Sequence, residues 1–113
     1  MVYKIGTTSD LDSLPSLDDT VLGLLHHHAN VLTKEYSANR NVNENDGGFV
    51  LYATPGTKAE DIKAFFDISK HSLEYVNIHG SICEAIYLPN NDFAVVIIVS
   101  IDDAPMEIHN EIE

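Results

Sequence analysis

Residues 93–101 read FAVVIIVSI, and this stretch opens with seven consecutive apolar residues. A strand with one face in water alternates apolar and polar residues, whereas a strand covered on both faces is apolar throughout. The stretch therefore predicts a central β-strand in a sheet that is packed on both sides. Residues 82–88, ICEAIYL, predict a second strand, and the Pro-Asn-Asn-Asp sequence at 89–92 predicts a tight turn that joins the two strands as a hairpin.

Three further segments have strand character. Residues 49–54, FVLYAT, are β-branched and aromatic with apolar residues on both faces, while 2–6 (VYKIG) and 73–78 (LEYVNI) are shorter candidates. A strand, helix, strand order over 49–78 is compatible with a right-handed crossover between parallel strands.

Helical spacing of apolar residues predicts an amphipathic helix over 17–34, with Ser16 as its N-cap and Asp19 completing a capping-box-like pair. A second helix is predicted to begin at Thr57, where Glu60 completes a capping box, and to continue to about Lys70.

A short C-terminal helix is predicted over 106–112. Its inward-facing residues are expected to be Met106, Ile108 or His109, and Ile112.

These elements predict an α+β fold: a mixed, largely antiparallel sheet of four or five strands, covered by two main helices, with a short C-terminal helix. A chain of 113 residues is expected to form a single domain, residues 1–113, and to bury roughly two-thirds of its surface on folding. Residues 37–48, SANRNVNENDGG, predict a flexible Asn-rich loop within that domain.

The charge of the chain is strongly unbalanced. Eighteen acidic residues stand against six basic ones, so the formal net charge is −12. Neither 5–33 nor 71–113 contains Lys or Arg, although these segments hold four and eight carboxylates. A negative field of this kind repels nucleic acid and anionic membranes and attracts basic partners. We therefore expect a basic protein partner, no direct nucleic-acid binding and no membrane association.

The densest acidic group near one predicted element comprises four residues, which are the candidates for partner binding: Asp102, Asp103, Glu107 and Glu111. Carboxylates in such a group can bind a divalent cation or a basic protein surface. The alternative interpretation is an ordinary solvated face, because salt and water also screen like charges.

No catalytic, metal or cofactor motif is evident in the sequence. The triplet His26-His27-His28 lacks the i, i+4 spacing that places two imidazoles on one helix face, and we expect His28 at the edge of the buried stripe with the other two exposed or flanking it. His79 and Cys83 are candidates for a base and a nucleophile, but Cys83 lies in an apolar strand without a nearby cation and is predicted to be buried and inert.

The cellular location is predicted to be cytoplasmic. A single cysteine, Cys83, permits no internal disulfide and is typical of a reducing compartment. The longest apolar run has seven residues, which is too short to span a membrane, and the N-terminal residues show no signal-peptide pattern.

Three functional hypotheses follow. The favoured one is a non-enzymatic interaction module that binds a basic protein, as an inhibitor, immunity protein or antagonist would. The second is a small-molecule-binding or enzymatic domain with a pocket between helix and sheet, in which the scattered histidines and four tyrosines supply polar groups: Tyr36, Tyr52, Tyr75 and Tyr87. The third is a structural homo-oligomer in which a second copy covers an apolar sheet face.

Overall fold

The computed structural model describes residues 1–6, 8–15, 17–31, 48–90 and 93–111. Its strands are β1 (Val2–Ile5), β2 (Gly48–Ala53), β3 (Leu73–His79), β4 (Ile82–Asn90) and β5 (Phe93–Ser100). The described helices are α1 (Asp19–Val31), α2 (Ala59–Lys63) and α3 (Met106–His109), and 3₁₀ turns lie at Thr8–Ser13, Ile68–Lys70 and Ile101–Asp103.

The five strands form one mixed sheet in the order β1-β2-β5-β4-β3. Only β2 and β5 are parallel, and the other three pairings in the described sheet are antiparallel. The α+β class, the mixed sheet and the β4–β5 hairpin are thus confirmed. The crossover considered for 49–78 does not join neighbouring strands, because β5 and β4 lie between β2 and β3.

Both faces of the sheet are covered, as the apolar character of β5 requires. On one face α1 contributes Val21, Leu25 and Ala29, at intervals of four residues, which pack on apolar side chains of β2 and β5. The opposite face is covered by α2, the 3₁₀ turn Ile68–Lys70 and α3. Its buried residues from these elements and the segment between them are Ile62, Phe66, Ile68 and Ile108.

The helix α1 begins at Asp19, where the carboxylate of Asp18 accepts a hydrogen bond of 3.2 Å from the backbone N–H of Thr20. The predicted N-cap, Ser16, and the end of the predicted helix beyond residue 31 lie outside the described residues. Within the described part of the chain, no helix is both long enough and apolar enough to cross a membrane.

The second predicted helix is much shorter than expected, so the description of two main helices is corrected to one. The helix α2 ends at Lys63, and the chain continues to a 3₁₀ turn at Ile68–Lys70. The Oδ1 atom of Asp67 accepts hydrogen bonds from the backbone N–H and the hydroxyl of Ser69, at 3.3 and 2.6 Å. Through these bonds Asp67 is the N-cap of the 3₁₀ turn, and its ψ of 84° is not helical, so a helix cannot continue through this residue to Lys70.

The start of α2 also differs from the prediction. Its N-cap is Lys58, which makes no side-chain capping bond. The hydroxyl of Thr57 instead donates to the carbonyl oxygen of Thr54 at 2.6 Å, which stabilises the turn before the helix. The capping box expected of Thr57 and Glu60 is therefore wrong.

The C-terminal helix α3 spans Met106–His109 and inserts Ile108 into the core with no exposed surface. Met106, which the sequence predicts to face inward, is 67% exposed. The helix has only four residues, and the one that is buried in the core is Ile108. Ile112 lies outside the described residues, as do residues 37–47 of the predicted loop. Gly48, the last residue of that prediction, begins β2 instead.

Gly48 brings the backbones of β2 and β5 into close approach. Its φ of 126° lies in a region that other residues rarely adopt, and a Cβ atom placed on it would lie 1.9 Å from the carbonyl oxygen of Ala94. Because the obstructing atom belongs to the backbone of a central strand, it cannot move aside without disturbing the β2–β5 pairing.

We expect Gly48→Ala to lower the free energy of unfolding by more than about 2 kcal/mol, because it combines backbone strain with a steric clash. Urea denaturation followed by circular dichroism measures this change. The control is Gly23→Ala in α1, where a Cβ atom meets nothing within 4 Å and where alanine is expected to raise stability by up to about 1 kcal/mol. Equal stability of the two variants would contradict this account of Gly48.

Candidate functional site

Among the described carboxylates, Glu84 alone is buried, and it lies on the face of the sheet that α1 covers. It lies in β4 between Ile82 and Ile86, which share this face, and opposite Ile98 of β5. Only 5% of Glu84 is exposed. An ionised carboxylate in such surroundings is strongly destabilising unless other groups pair with it, so its contacts determine whether it can carry a charge.

Three side chains from two other elements donate hydrogen bonds to this carboxylate. Its Oε2 atom contacts Nε2 of His28, which α1 positions above the sheet. Its Oε1 atom accepts from Nδ2 of Asn77 at 3.0 Å and from Nε2 of His79 at 3.2 Å, both on β3. These four residues, hereafter the Glu84 cluster, connect α1, β3 and β4 through one ionisable group.

The hydrogen bonds keep Glu84 ionised. Burial is the largest single influence on the pKa of its carboxyl and acts to raise it, but the donors His28, Asn77 and His79 together outweigh burial. The pKa of Glu84 is therefore lower than its ordinary value. The arrangement satisfies a buried charge with two imidazoles and an amide.

The histidine triplet divides as the sequence indicated. The side chain of His28 is 12% exposed, whereas His26 and His27 are exposed on the surface of α1. The rings of His27 and His28 meet edge to face with centroids 5.1 Å apart. Among the described residues, no three His, Cys, Asp or Glu side chains are arranged to hold a metal ion. In the Glu84 cluster the two imidazoles contact different carboxylate oxygens.

Cys83 of β4 is fully buried and lies on the face of the sheet opposite to Glu84 and His79. Burial, followed by the negative charge of Glu84, raises the pKa of its thiol to about 11. The prediction that Cys83 is buried is confirmed. A buried thiol with a raised pKa is a poor nucleophile at neutral pH, and its inertness stays a prediction.

Two of the four carboxylates predicted to bind a partner make contacts within the chain. The Oδ2 atom of Asp103 accepts hydrogen bonds from the backbone N–H of Gly56 at 2.8 Å and from the hydroxyl of Ser100 at 2.9 Å. Asp103 thus connects the end of β5 to the turn that precedes α2.

Glu107 forms an ion pair of 2.7 Å with Nζ of Lys63, which links α3 to α2 and lowers the pKa of the Glu107 carboxyl. Asp102 and Glu111 are exposed. Partner binding by this group stays a prediction, and the structure adds an internal role for Asp103 and Glu107.

The tyrosines of the pocket hypothesis do not converge. Tyr52 belongs to the core beneath α1, while Tyr87 lies in the core on the opposite face, where burial raises its pKa to about 12. Tyr75 lies on the edge strand β3 and is 60% exposed. Tyr36 lies outside the described residues.

The sequence contained one signal for Glu84 that the interpretation missed. A carboxylate at the centre of the otherwise apolar stretch Ile82–Leu88 is unusual and indicates either an edge strand or a paired charge. Its partner His28 is separated from it by 56 residues, and no local pattern connects the two.

We expect Glu84→Ala to lower the free energy of unfolding by about 1 to 3 kcal/mol, because it leaves His28 without its acceptor in a buried site and removes the acceptor shared by Asn77 and His79. Chemical denaturation at neutral pH measures the change. Glu74→Ala on the exposed surface of β3 is the matched control and should change stability by less than about 0.5 kcal/mol. Similar losses in both variants would show that burial of the cluster does not matter.

In comparisons with known proteins, no family model, no curated protein and no solved structure matches this chain. Arguments about its function therefore rest on its own residues.

Proposed function

We propose that this chain is a non-enzymatic interaction module, of the inhibitor, immunity or antagonist type, and that it binds a basic protein partner. The observation that carries the proposal is an exposed group of carboxylates beside the start of α1. This group, hereafter the N-terminal acidic surface, consists of Asp12, Asp18 and Asp19.

The N-terminal acidic surface lies on two adjacent elements. Asp12 belongs to the 3₁₀ turn Thr8–Ser13, which packs against α1 and β1. Asp18 and Asp19 lie at or immediately before the start of α1. The pKa of Tyr52 in the neighbouring sheet is raised mainly by burial, then by Tyr3 and by the charge of Asp18. The three carboxylates therefore belong to neighbouring elements.

Within the described part of the chain, no Lys or Arg forms an ion pair with the N-terminal acidic surface. The sequence itself has no Lys or Arg from 5 to 33. At the C-terminal group, by contrast, Lys63 pairs with Glu107. This difference favours the N-terminal acidic surface over the C-terminal group as the main contact for a partner.

Complementary charge mainly accelerates encounter and selects partners, and its effect weakens as salt screens it. The partner is expected to present clustered Lys or Arg side chains. The net charge of −12 disfavours nucleic acid and anionic membranes as direct ligands. The proposal assigns a cytoplasmic location, supported by the single free thiol of Cys83.

The test begins with affinity capture from cells at low salt, identification of the bound protein, and titration calorimetry of the purified pair over a range of salt concentrations. Replacing Asp12, Asp18 and Asp19 by Asn should weaken binding at low salt by about tenfold or more, because three favourable charge contacts are lost. Asn at position 18 retains the ability to cap α1.

Two control variants remove exposed carboxylates at other places. One carries Glu60→Gln, Asp61→Asn and Glu74→Gln, which changes the net charge by the same three units. The other carries Asp102→Asn and Glu111→Gln, the exposed members of the C-terminal group. The first should bind almost as the wild type does. A loss confined to the second would transfer the contact to the C-terminal group. Failure to recover a basic protein, or binding that is insensitive to salt, would remove support for the proposal.

A second candidate function, a homo-oligomer, is favoured by one observation. The edge strand β3 contains neither Lys nor Pro, the residues that commonly protect sheet edges, and exposes 60% of Tyr75 and 43% of Ile78. A second copy would add its β3 to this edge as an antiparallel strand.

Light scattering on the purified chain tests this candidate. A dimer through β3 should have twice the mass of the chain, and Ile78→Lys should convert it to a monomer. Met106→Lys removes a similarly exposed apolar side chain away from the sheet and should leave the dimer intact. A monomeric wild type at all concentrations would contradict this candidate.

A further inference from the structure

The Glu84 cluster is the one place where the described structure combines a buried charge with contacts between three separate elements. The side chains of Glu84 and His28 are 7% and 12% exposed, and that of His79 is 37% exposed. The cluster therefore opens to solvent on the β3 side and is closed beneath α1. Its charge state affects the attachment of α1 directly, because His28 is the helix residue that contacts the carboxylate.

The other groups around Glu84 supply little compensating charge. On α1 the ring of His27 lies against His28, and on β3 the neighbours are Asn77 and His79, with Tyr75 further along the same face. Opposite Glu84 on β5 lies Ile98, which is apolar, and Cys83 is directed to the other face. In the described structure the ionisable neighbours of Glu84 beneath α1 are therefore histidines.

Protonation of Glu84 weakens the contacts at this site. A neutral carboxyl group accepts weaker hydrogen bonds than a carboxylate does, so the contacts of Glu84 with His28, Asn77 and His79 all weaken when it is protonated. These contacts join α1 on one side to β3 on the other, and poorly satisfied polar groups are strongly unfavourable in the buried part of the cluster.

The direction of the pH effect follows from the lowered pKa of Glu84. A carboxyl group whose pKa is lower in the folded than in the unfolded state stabilises the fold fully above its unfolded pKa, near 4.3 for glutamate. That contribution disappears as the pH falls through the lower, folded value. The attachment of α1 should thus hold at neutral pH and weaken below about pH 4.

We propose that the Glu84 cluster is an acid-sensitive fastener, which holds the C-terminal half of α1 against β3 and β4 and releases it when Glu84 is protonated. The apolar contacts of α1 with β2 and β5 do not depend on this charge. Acid therefore loosens α1 before it unfolds the central strands. The fastener is independent of partner binding and is tested on the chain alone.

Two measurements on the wild type test the fastener. Carbon-detected NMR follows the titration of the Glu84 side-chain carboxyl, and amide hydrogen exchange follows the protection of residues 24–29 in α1 and of residues 95–98 in β5. Protection in α1 should fall by up to about tenfold per pH unit around the midpoint of the Glu84 titration. Protection in β5 should not change over the same range. If both segments lose protection at the same pH and by the same factor, acid unfolds the whole chain and the proposal is overturned.

Two variants test the role of the Glu84 carboxylate independently of the wild-type measurements. Glu84→Gln should lower α1 protection about tenfold already at pH 6 and abolish its further loss in acid, because no carboxylate remains to titrate. Glu107→Gln is the control: its carboxyl also has a lowered pKa, but it pairs with Lys63 on the opposite face of the sheet, so α1 should behave as in the wild type. An unchanged acid response of α1 in Glu84→Gln contradicts the fastener. If that variant does not fold, the wild-type comparison decides alone.

Discussion

The parallel pairing of β2 with β5 brings together the two strands whose side chains are buried on both faces. Every residue of β2 is buried, and residues 94–99 of β5 are buried as well. Neither strand tolerates an edge position, because a strand that is apolar on both sides needs cover above and below and a partner on each side. The places of the other elements follow: β1 and β4 flank this pair, α1 covers one face, and α2 and α3 cover the other.

Polar contacts then determine how the outer parts are attached to this centre. Glu84 connects α1 with the outer strands, whereas Asp103 and Glu107 connect the end of β5, the turn before α2, and the helices α2 and α3. Glu84, Asp103 and Glu107 thus have internal roles on two different faces. Beside the start of α1, Asp12, Asp18 and Asp19 are exposed, and no described basic residue forms an ion pair with them.

Features that depend on local sequence were predictable. The apolar run in β5, the hairpin that it forms with β4, and the stripe of Val21, Leu25 and Ala29 in α1 all follow from periodicity and turn residues. The length of α2 was not predictable from its apolar spacing, because Asp67 caps a separate 3₁₀ turn through its bonds to Ser69, and apolar periodicity does not report capping bonds.

Features that depend on distant partners were not predictable. The choice of β5 rather than β3 as the parallel neighbour of β2 depends on burial of both faces at once. The candidate site is a similar case. The sequence predicts Glu84 only as part of a strand, and its contact with His28 can be recognised only after α1 has been placed over the sheet. A charged residue inside an apolar strand indicates that a partner group exists, but it does not identify the residue that supplies this group.

The central position of β2 has a consequence for the order in which the chain folds. The neighbours β4 and β5 are adjacent in sequence, so their hairpin closes a short loop, whereas β2 pairs with β5 across more than forty intervening positions, and long loops close slowly. During synthesis, β2 leaves the ribosome before the strand that completes it. Until β5 is synthesised, both apolar faces of β2 are exposed. Among the described segments, β2 is therefore the first that a chaperone would bind or that would aggregate with another chain.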